Sequence, residues 1–383
     1  MATLGAYNQV FYANQALIYL RNVLGMASRV YLGYDAERRS AAVGDTITIK
    51  RPSTFSAVAA PGSASTLVAG SVSITLDQWY EVKFALTDKE LAYTGEQIMR
   101  DHIGPASYAL ARQIDSTLAG LYKDVPWLYD YGATTDATII TGTKNVLFGV
   151  GVPMDDNQLH MMVDGTVNTY FQNSTIFHSA SVAGPAAQDT LLRGSLGTRF
   201  GVEVFAAQGA PTHTPGSIAS TGDAAGAVNN GAGYAVGATS MAVDAFTAAE
   251  TLKAGDTFVI TGNSQRYAIT ADTAMTSGAG TISFTPGLAV TTADNAVITF
   301  TQQTASAHTQ QLMFHTNAFA LAFAPLPTDL PGIEVFTAVD PASGLALRAR
   351  RWADGANSQV FQSIDALWGV KTLDPNLAAR AWT

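Results

Sequence analysis

The chain has 383 residues, 47% of them hydrophobic and only 13% charged, with a formal net charge of −9, 34 Gly, 14 Pro and no Cys. That composition excludes a disordered chain, a collagen-like repeat, a disulfide scaffold, a Cys-ligated zinc site and a thiol nucleophile. The acidic balance gives no general reason to expect a phosphate binder, which usually shows a basic excess.

The length suggests two to three domains as a prior. Asn8, Gln9, Asn14 and Gln15 interrupt the first twenty residues, and no apolar run reaches membrane-spanning length, so neither a leader nor a membrane segment is expected. An apolar chain with so few charges is expected to meet other protein chains over much of its surface.

In chain order, Val10, Ala13, Leu17, Leu20, Leu24 and Ala27 form a stripe that predicts a helix with one buried face. Val43, Ile47 and Ile49 then alternate up to Arg51-Pro52, where a strand should end. Alternation from Val72 to Leu86 predicts one extended segment of roughly 45–50 Å, unusually long for a globular strand. Between the two arms lies the uncharged stretch Ser53 to Gly70 with a Pro61-Gly62 turn, which reads as the tip of a long hairpin. Such an arm cannot bury both faces against its own domain, so a neighbouring molecule is expected to cover it, with Thr54, Phe55, Pro61 and Leu67 as contact candidates.

Thr87-Asp88-Lys89-Glu90 has capping-box spacing and predicts a helix start. Leu110, Ile114, Leu118 and Leu121 continue a helical stripe until Pro126, and Gly104-Pro105 either kinks one long helix or separates two. Residues 135 to 205 combine a helix near Thr141 to Gly149 with extended runs at Leu159 to Val163 and Val202 to Phe205, which suits an α+β domain. From Gly209 to about Ser240 the chain is nearly all small residues and reads as a linker into an insertion. Short β-like runs follow at Asp256 to Thr261, Arg266 to Thr270, Thr281 to Thr285 and Ala296 to Thr301, the pattern of a small sandwich or barrel. The apolar run Leu312 to Phe323 comes next, then a hairpin of Ile333 to Val339 and Leu345 to Trp352, then the run Gln359 to Val370.

No phosphate-binding loop, dinucleotide fingerprint, serine-hydrolase elbow or zincin helix occurs. The six histidines are scattered, and Asp155-Asp156-Asn157 lacks the spacing of a calcium loop, so neither metal nor cofactor is expected. Arg348 and Arg350 share one face of a predicted strand, where two guanidinium forks can meet carboxylates of a neighbouring subunit, with phosphate and a solvated face as the alternatives.

The run Ile364-Asp365-Ala366-Leu367-Trp368-Gly369-Val370-Lys371-Thr372-Leu373-Asp374-Pro375-Asn376-Leu377-Ala378-Ala379-Arg380 resembles the C-terminal ends of major capsid proteins of tailed double-stranded DNA bacteriophages. The N-terminal helix, the long hairpin, the helix after Gly104-Pro105 and the Arg348-bearing hairpin agree in order. The resemblance implies a Hong Kong 97-type α+β fold: an N-terminal arm (1–42), an extended loop (43–86), a peripheral domain with its spine helix (87–126), and an axial domain in two parts (127–208 and 304–383). Its final strands would return to the peripheral domain, and 209–303 would be an inserted β-barrel.

It further implies a non-enzymatic shell protein of the virion, assembled in the host cytoplasm. The chain would form homo-oligomeric hexamers and pentamers, with scaffolding and portal proteins as partners, packaged double-stranded DNA inside, and no membrane. The competing readings are a tail-tube or decoration protein, a cellular encapsulating shell, and a β-rich enzyme or carbohydrate-binding protein without a local motif.

Overall fold

A computed structural model describes residues 9–32, 46–51, 60, 70–179, 186–221, 226–247, 249–341 and 343–383. The chain divides into two compact units, Met1–Leu118 with Phe319–Leu373, and Ala119–Ala318 with Asp374–Thr383. The fold is α+β, with helices and antiparallel sheet in the first unit and a mixed sheet plus a barrel in the second.

The first unit is organised by its longest described strand, Gln359–Thr372. On one side it pairs with Gln78–Thr87. On the other it pairs in succession with Ala346–Asp354 and Phe319–Ala324. Glu334–Val339 completes the sheet beside Ala346–Asp354, so the hairpin expected near the end of the chain forms. Helix α1 (Gln9–Val23) lies on that hairpin, with Ala13 and Leu17 against Phe336, Ala338 and Ala349. The helix stops earlier than its apolar stripe. Leu24 and Ala27 are still buried, but the backbone amides of Gly25 and Ala27 donate to the Asp115 carboxylate at 2.8 and 2.9 Å. A side-chain acceptor has taken over donors that a further helical turn would have satisfied internally.

The long extended segment divides in two. Gly70–Thr75 pairs with Thr46–Arg51 as a two-stranded ribbon, whereas Gln78–Thr87 joins the sheet. Leu76 and Asp77 lie between the two ladders, and Ile74 and Leu86, on even positions either side of them, are both buried. Side-chain parity therefore runs unbroken through a change of partner, which is why alternation alone shows one strand.

Helix α2 (Asp88–Ala119) begins directly after Thr87 and runs 32 residues, about 48 Å at the helical rise. Pro105 sits inside it without dividing it. Ile103, Ala106, Leu110, Ile114 and Leu118 are buried on both sides of the proline, and this packing offsets the one backbone bond that proline removes.

In the second unit the sheet order is Trp127–Asp130, Ala378–Trp382, Gln311–His315, Leu159–Val163, Val202–Ala206 and Gly197–Arg199. The helix Thr138–Val150 supplies Ile139, Ile140 and Leu147 to a core with Met161, Val163, Phe171, Met313 and Ala381. The expected insertion is a closed barrel of Ser240–Asp244, Gly280–Thr285, Arg266–Ile269, Thr257–Ile260, Val297–Phe300 and Gly226–Val228. Phe258 sits at the centre of its aromatic packing, 5.4 Å from Tyr267, 5.5 Å from Phe284 and 5.4 Å from Phe300 between ring centroids.

Two further expectations differ from the structure. The small-residue stretch after Gly209 is more than a linker: Thr212–His213 pairs with His308–Thr309, and Gly226–Val228 is a barrel strand. The expectation that 304–383 forms one part of a domain, with only its final strands leaving for the other, does not describe how its strands are distributed. Phe319–Ala324, Ala346–Asp354 and Gln359–Thr372 build the first unit's sheet, and the final strand Ala378–Trp382 lies in the second unit's sheet. Periodicity assigns the faces of a strand and says nothing about its partner.

Candidate functional site

The contact candidates Thr54, Phe55, Pro61 and Leu67 lie outside the described residues. What is described is the base from which they leave. Ile47 and Ile74, facing residues of the ribbon, are buried with Ala320 and Ala322, while Thr46, Thr48, Ser71, Ser73 and Thr75 are exposed.

The ribbon is seated by Gly369 of the long strand. A Cβ placed there would stand 2.2 Å from the Thr75 carbonyl oxygen and 3.0 Å from the Ile74 side chain, so only glycine lets the two backbones meet. Gly369 falls within the capsid-like tail run, but no local pattern in the sequence assigns it this role. Beyond this base the ribbon has two strands only among the described residues. An isolated pair of strands is marginal in water and needs cover from elsewhere.

Arg348 does not present its fork to a neighbour. Its side chain is 4% exposed and forms a bidentate pair with Asp365, Nε to Oδ1 at 3.0 Å and Nη2 to Oδ2 at 2.6 Å, while Nη1 donates to the Pro327 carbonyl at 2.9 Å. The register sets Arg348 opposite Asp365 on adjacent strands, so the carboxylate that satisfies it comes from the same sheet. The expectation of an inter-subunit partner for Arg348 is therefore corrected.

Arg350, one pleat along, donates from Nε to Ser363 Oγ at 3.1 Å, bonds Glu81 through Nη2, and lies 3.4 Å from Asp365 Oδ2. Trp79 donates its indole N–H to Asp365 at 3.1 Å, and the residue is 57% exposed. Beside this network Lys83 rests over the rings of Trp352 and Phe361, at 5.2 and 4.5 Å. The cluster is an internal lock of the sheet with one aromatic edge open to solvent.

Other apolar side chains stand in solvent. Ile18 and Tyr19 on α1 are exposed in the first unit, as are Phe148 at 70% and Leu192 at 79% in the second. An open apolar groove of about 300 Å³ lies between the sheet residues Val82, Phe84 and Leu86 and the helix residues His102, Pro105 and Ala106.

Among the described residues no group of three or more His, Cys, Asp or Glu side chains is placed to hold a metal ion. The histidines are distributed among separate partners. His160 bonds Glu203 at 2.8 Å, and His315 bonds Asp156 at 2.7 Å, which holds the Asp156 carboxyl below its ordinary range. His213 bonds Asp256 at 3.0 Å.

No protein-family model matches the chain, and no curated protein does. Solved structures to which it is similar include one from Mycobacterium phage Che8, 14% identical over 94% of this chain and 90% of that chain with a TM-score of 0.49. The capsid of the Myoviridae phage XM1 is 9% identical over 94% and 91%, with a TM-score of 0.44. The capsid of a native GTA particle is 10% identical over 92% of each chain, with a TM-score of 0.42. No residue role is carried from these chains to this one.

Proposed function

We propose that this chain is a major capsid protein of the Hong Kong 97 type, a structural subunit whose copies associate into an icosahedral head around double-stranded DNA. The observation that carries the reading is the order of the described elements between Thr46 and Ala119: a two-stranded ribbon buried at its base by Ile47 and Ile74, one strand built into a sheet, and then an unbroken 32-residue helix. These stand where the tail-motif resemblance places the extended loop and the spine helix. The barrel closed within the second unit stands where that resemblance places an insertion. Among the described residues the ribbon is a two-stranded sheet, and a strand at the edge of a sheet is a template for contact with another chain. Exposed Ile18, Phe148 and Leu192 give further apolar surface for copies to bury, in the regime of roughly 2,000–5,000 Å² for obligate interfaces.

The role requires no catalytic residue and no cofactor. Many copies of the chain are its main partner, scaffolding and portal proteins are its assembly partners, and its place is the virion.

The test is electron microscopy of the expressed full chain, with and without a scaffolding partner. Closed shells are expected, whereas tubes or rings would indicate another virion part and soluble monomers under all conditions would reject the proposal. A deletion of Thr54 to Thr66 is expected to leave a folded chain that assembles poorly. Normal shell yield from that variant would remove the ribbon tip from the contact.

A further inference from the structure

In the second unit five side chains close a ring. Arg380 on the final strand lies over the Tyr122 ring, 5.6 Å from its centroid. Tyr122 stands edge-on to His213 at 5.7 Å, and His213 edge-on to His308 at 5.7 Å. His308 lies 5.0 Å from Trp382, which returns to Arg380 two residues back along the same face of the strand. Gln310 flanks the ring: Gln311 is registered with Ala381, so the next position sets Gln310 across from Trp382. Arg380, Gln310 and His213 are 0, 0 and 2% exposed.

One half of the ring is satisfied. Asp256 accepts from His213 Nε2 and from the amides of Gly216 and Lys253 at 3.0, 3.1 and 2.7 Å. With its proton on Nε2, His213 presents Nδ1 as an acceptor to the Tyr122 hydroxyl at 3.2 Å.

The other half is not satisfied. Arg380 donates from Nη2 to the Gly255 carbonyl at 2.7 Å, while its Nε and Nη1 have no partner among the described residues. The same holds for His308 Nε2, Trp382 Nε1 and both polar atoms of the Gln310 side chain. Buried polar atoms left unpaired in such number are costly, and native proteins satisfy nearly all of them.

The chemistry of these atoms selects the ligand. Arg380, Trp382 Nε1 and Gln310 Nε2 are donors. His308 donates through Nδ1 to the Ser306 carbonyl at 3.1 Å, so its neutral ring offers Nε2 as an acceptor, as does Gln310 Oε1. An anion answers donors only; water answers both kinds. We infer that Arg380, His308, Gln310 and Trp382 enclose an ordered-water site, which hydrates the joint between the barrel and the second unit's sheet. Arg380 remains charged there, although burial brings its pKa down to about 10, and the water supplies the solvation that no carboxylate contacts it to give.

The test is a structure of the full chain at a resolution that shows water, determined once in chloride-free buffer and once in bromide. Density within hydrogen-bond reach of Arg380 and of His308 Nε2 or Gln310, unchanged by bromide, is expected. Bromide at the site would overturn the inference in favour of an anion. Absence of density, with Arg380 and Gln310 paired to each other, would overturn it in favour of a dry cluster. Hydrogen exchange on Gln310→Leu gives an independent reading. Loss of a water-satisfied side chain is expected to speed exchange of the Gly255 amide and of the backbone amide at position 310, each relative to its intrinsic rate, by about five- to tenfold. Slower exchange, the result of removing a dry, unpaired amide, counts against the site.

Discussion

Two buried arginines, one in each unit, are solvated in opposite ways. Arg348 meets a carboxylate head-on: both oxygens of Asp365 are engaged, and the third guanidinium nitrogen finds the Pro327 carbonyl. Arg380, fully buried, is given one carbonyl and the face of a tyrosine, while the oxygens of the nearby Asp256 carboxylate are taken by His213 and two amides. The first arrangement fixes the register of neighbouring strands, because sliding either strand would strand both charges. The second tolerates small displacements, since water can rearrange where a fork cannot. A charge inside a protein thus serves as a lock or as a hydrated joint according to what else its donors can reach.

The largest effect is expected where the lock is broken from one side. Asp365→Ala leaves Arg348 buried without its counter-charge and should destabilise the first unit by about 3–5 kcal/mol, read by chemical denaturation followed through tryptophan fluorescence. Replacing both partners, Arg348→Met with Asp365→Leu, should recover most of that loss. A double variant no better than the single one would show that the pair acts through more than mutual neutralisation.

The next effect concerns the ribbon rather than the charges. Gly369→Ala drives a methyl group into the Thr75 carbonyl and should cost about 1–3 kcal/mol. The loss should appear as faster exchange of amides in Thr46–Arg51 and Gly70–Thr75, with barrel amides unchanged. Equal loss in both places would mean that the ribbon seat and the barrel unfold together.

Arg350 sharpens the contrast from the other side. Its partner Glu81 is 44% exposed, so Arg350→Ala should change stability by less than about 1 kcal/mol, measured by the same denaturation. A loss as large as that of Asp365→Ala would make Arg350 part of the lock.

The smallest change is expected from a single proton. Burial holds His308 below its ordinary range, with Arg380 and His213 opposing the charge and Asp256 favouring it. A histidine whose folded pKa is depressed contributes stability above its unfolded value of about 6.5 and loses it as pH falls below that value. Protection of the amides at the joint, read as exchange relative to the intrinsic rate at each pH, should therefore fall on acidification from pH 7 toward 5, and His308→Gln should flatten that dependence. A profile unaltered by the substitution would assign the acid response to another group.

Much of the architecture is legible in local patterns of the sequence. The alternating runs of the insertion predict a small barrel, and four of its strands lie where alternation places them. The stripes predict α1 and the stretch that forms α2, and the runs Ile333 to Val339 and Leu345 to Trp352 predict the hairpin they form. The candidate site is less legible. Arg348 is visible as one of two forks on a strand face, but Asp365, seventeen residues on, becomes its partner only through cross-strand register. Arg380 stands in the tail run as one more basic residue, and no local signal marks it as fully buried.

The sequence by itself determined where the main periodic helical and extended runs lie and which face of each is apolar, because these follow from the periods of side chains along a few consecutive residues. Only the tertiary structure decided that Gln311–His315 and Phe319–Ala324, one apolar run in the sequence, serve different units, and that the final strand lies beside Trp127–Asp130. Strand pairing and the burial of a charge depend on residues far away in the chain, and the free energy that selects them exists only once those residues have met.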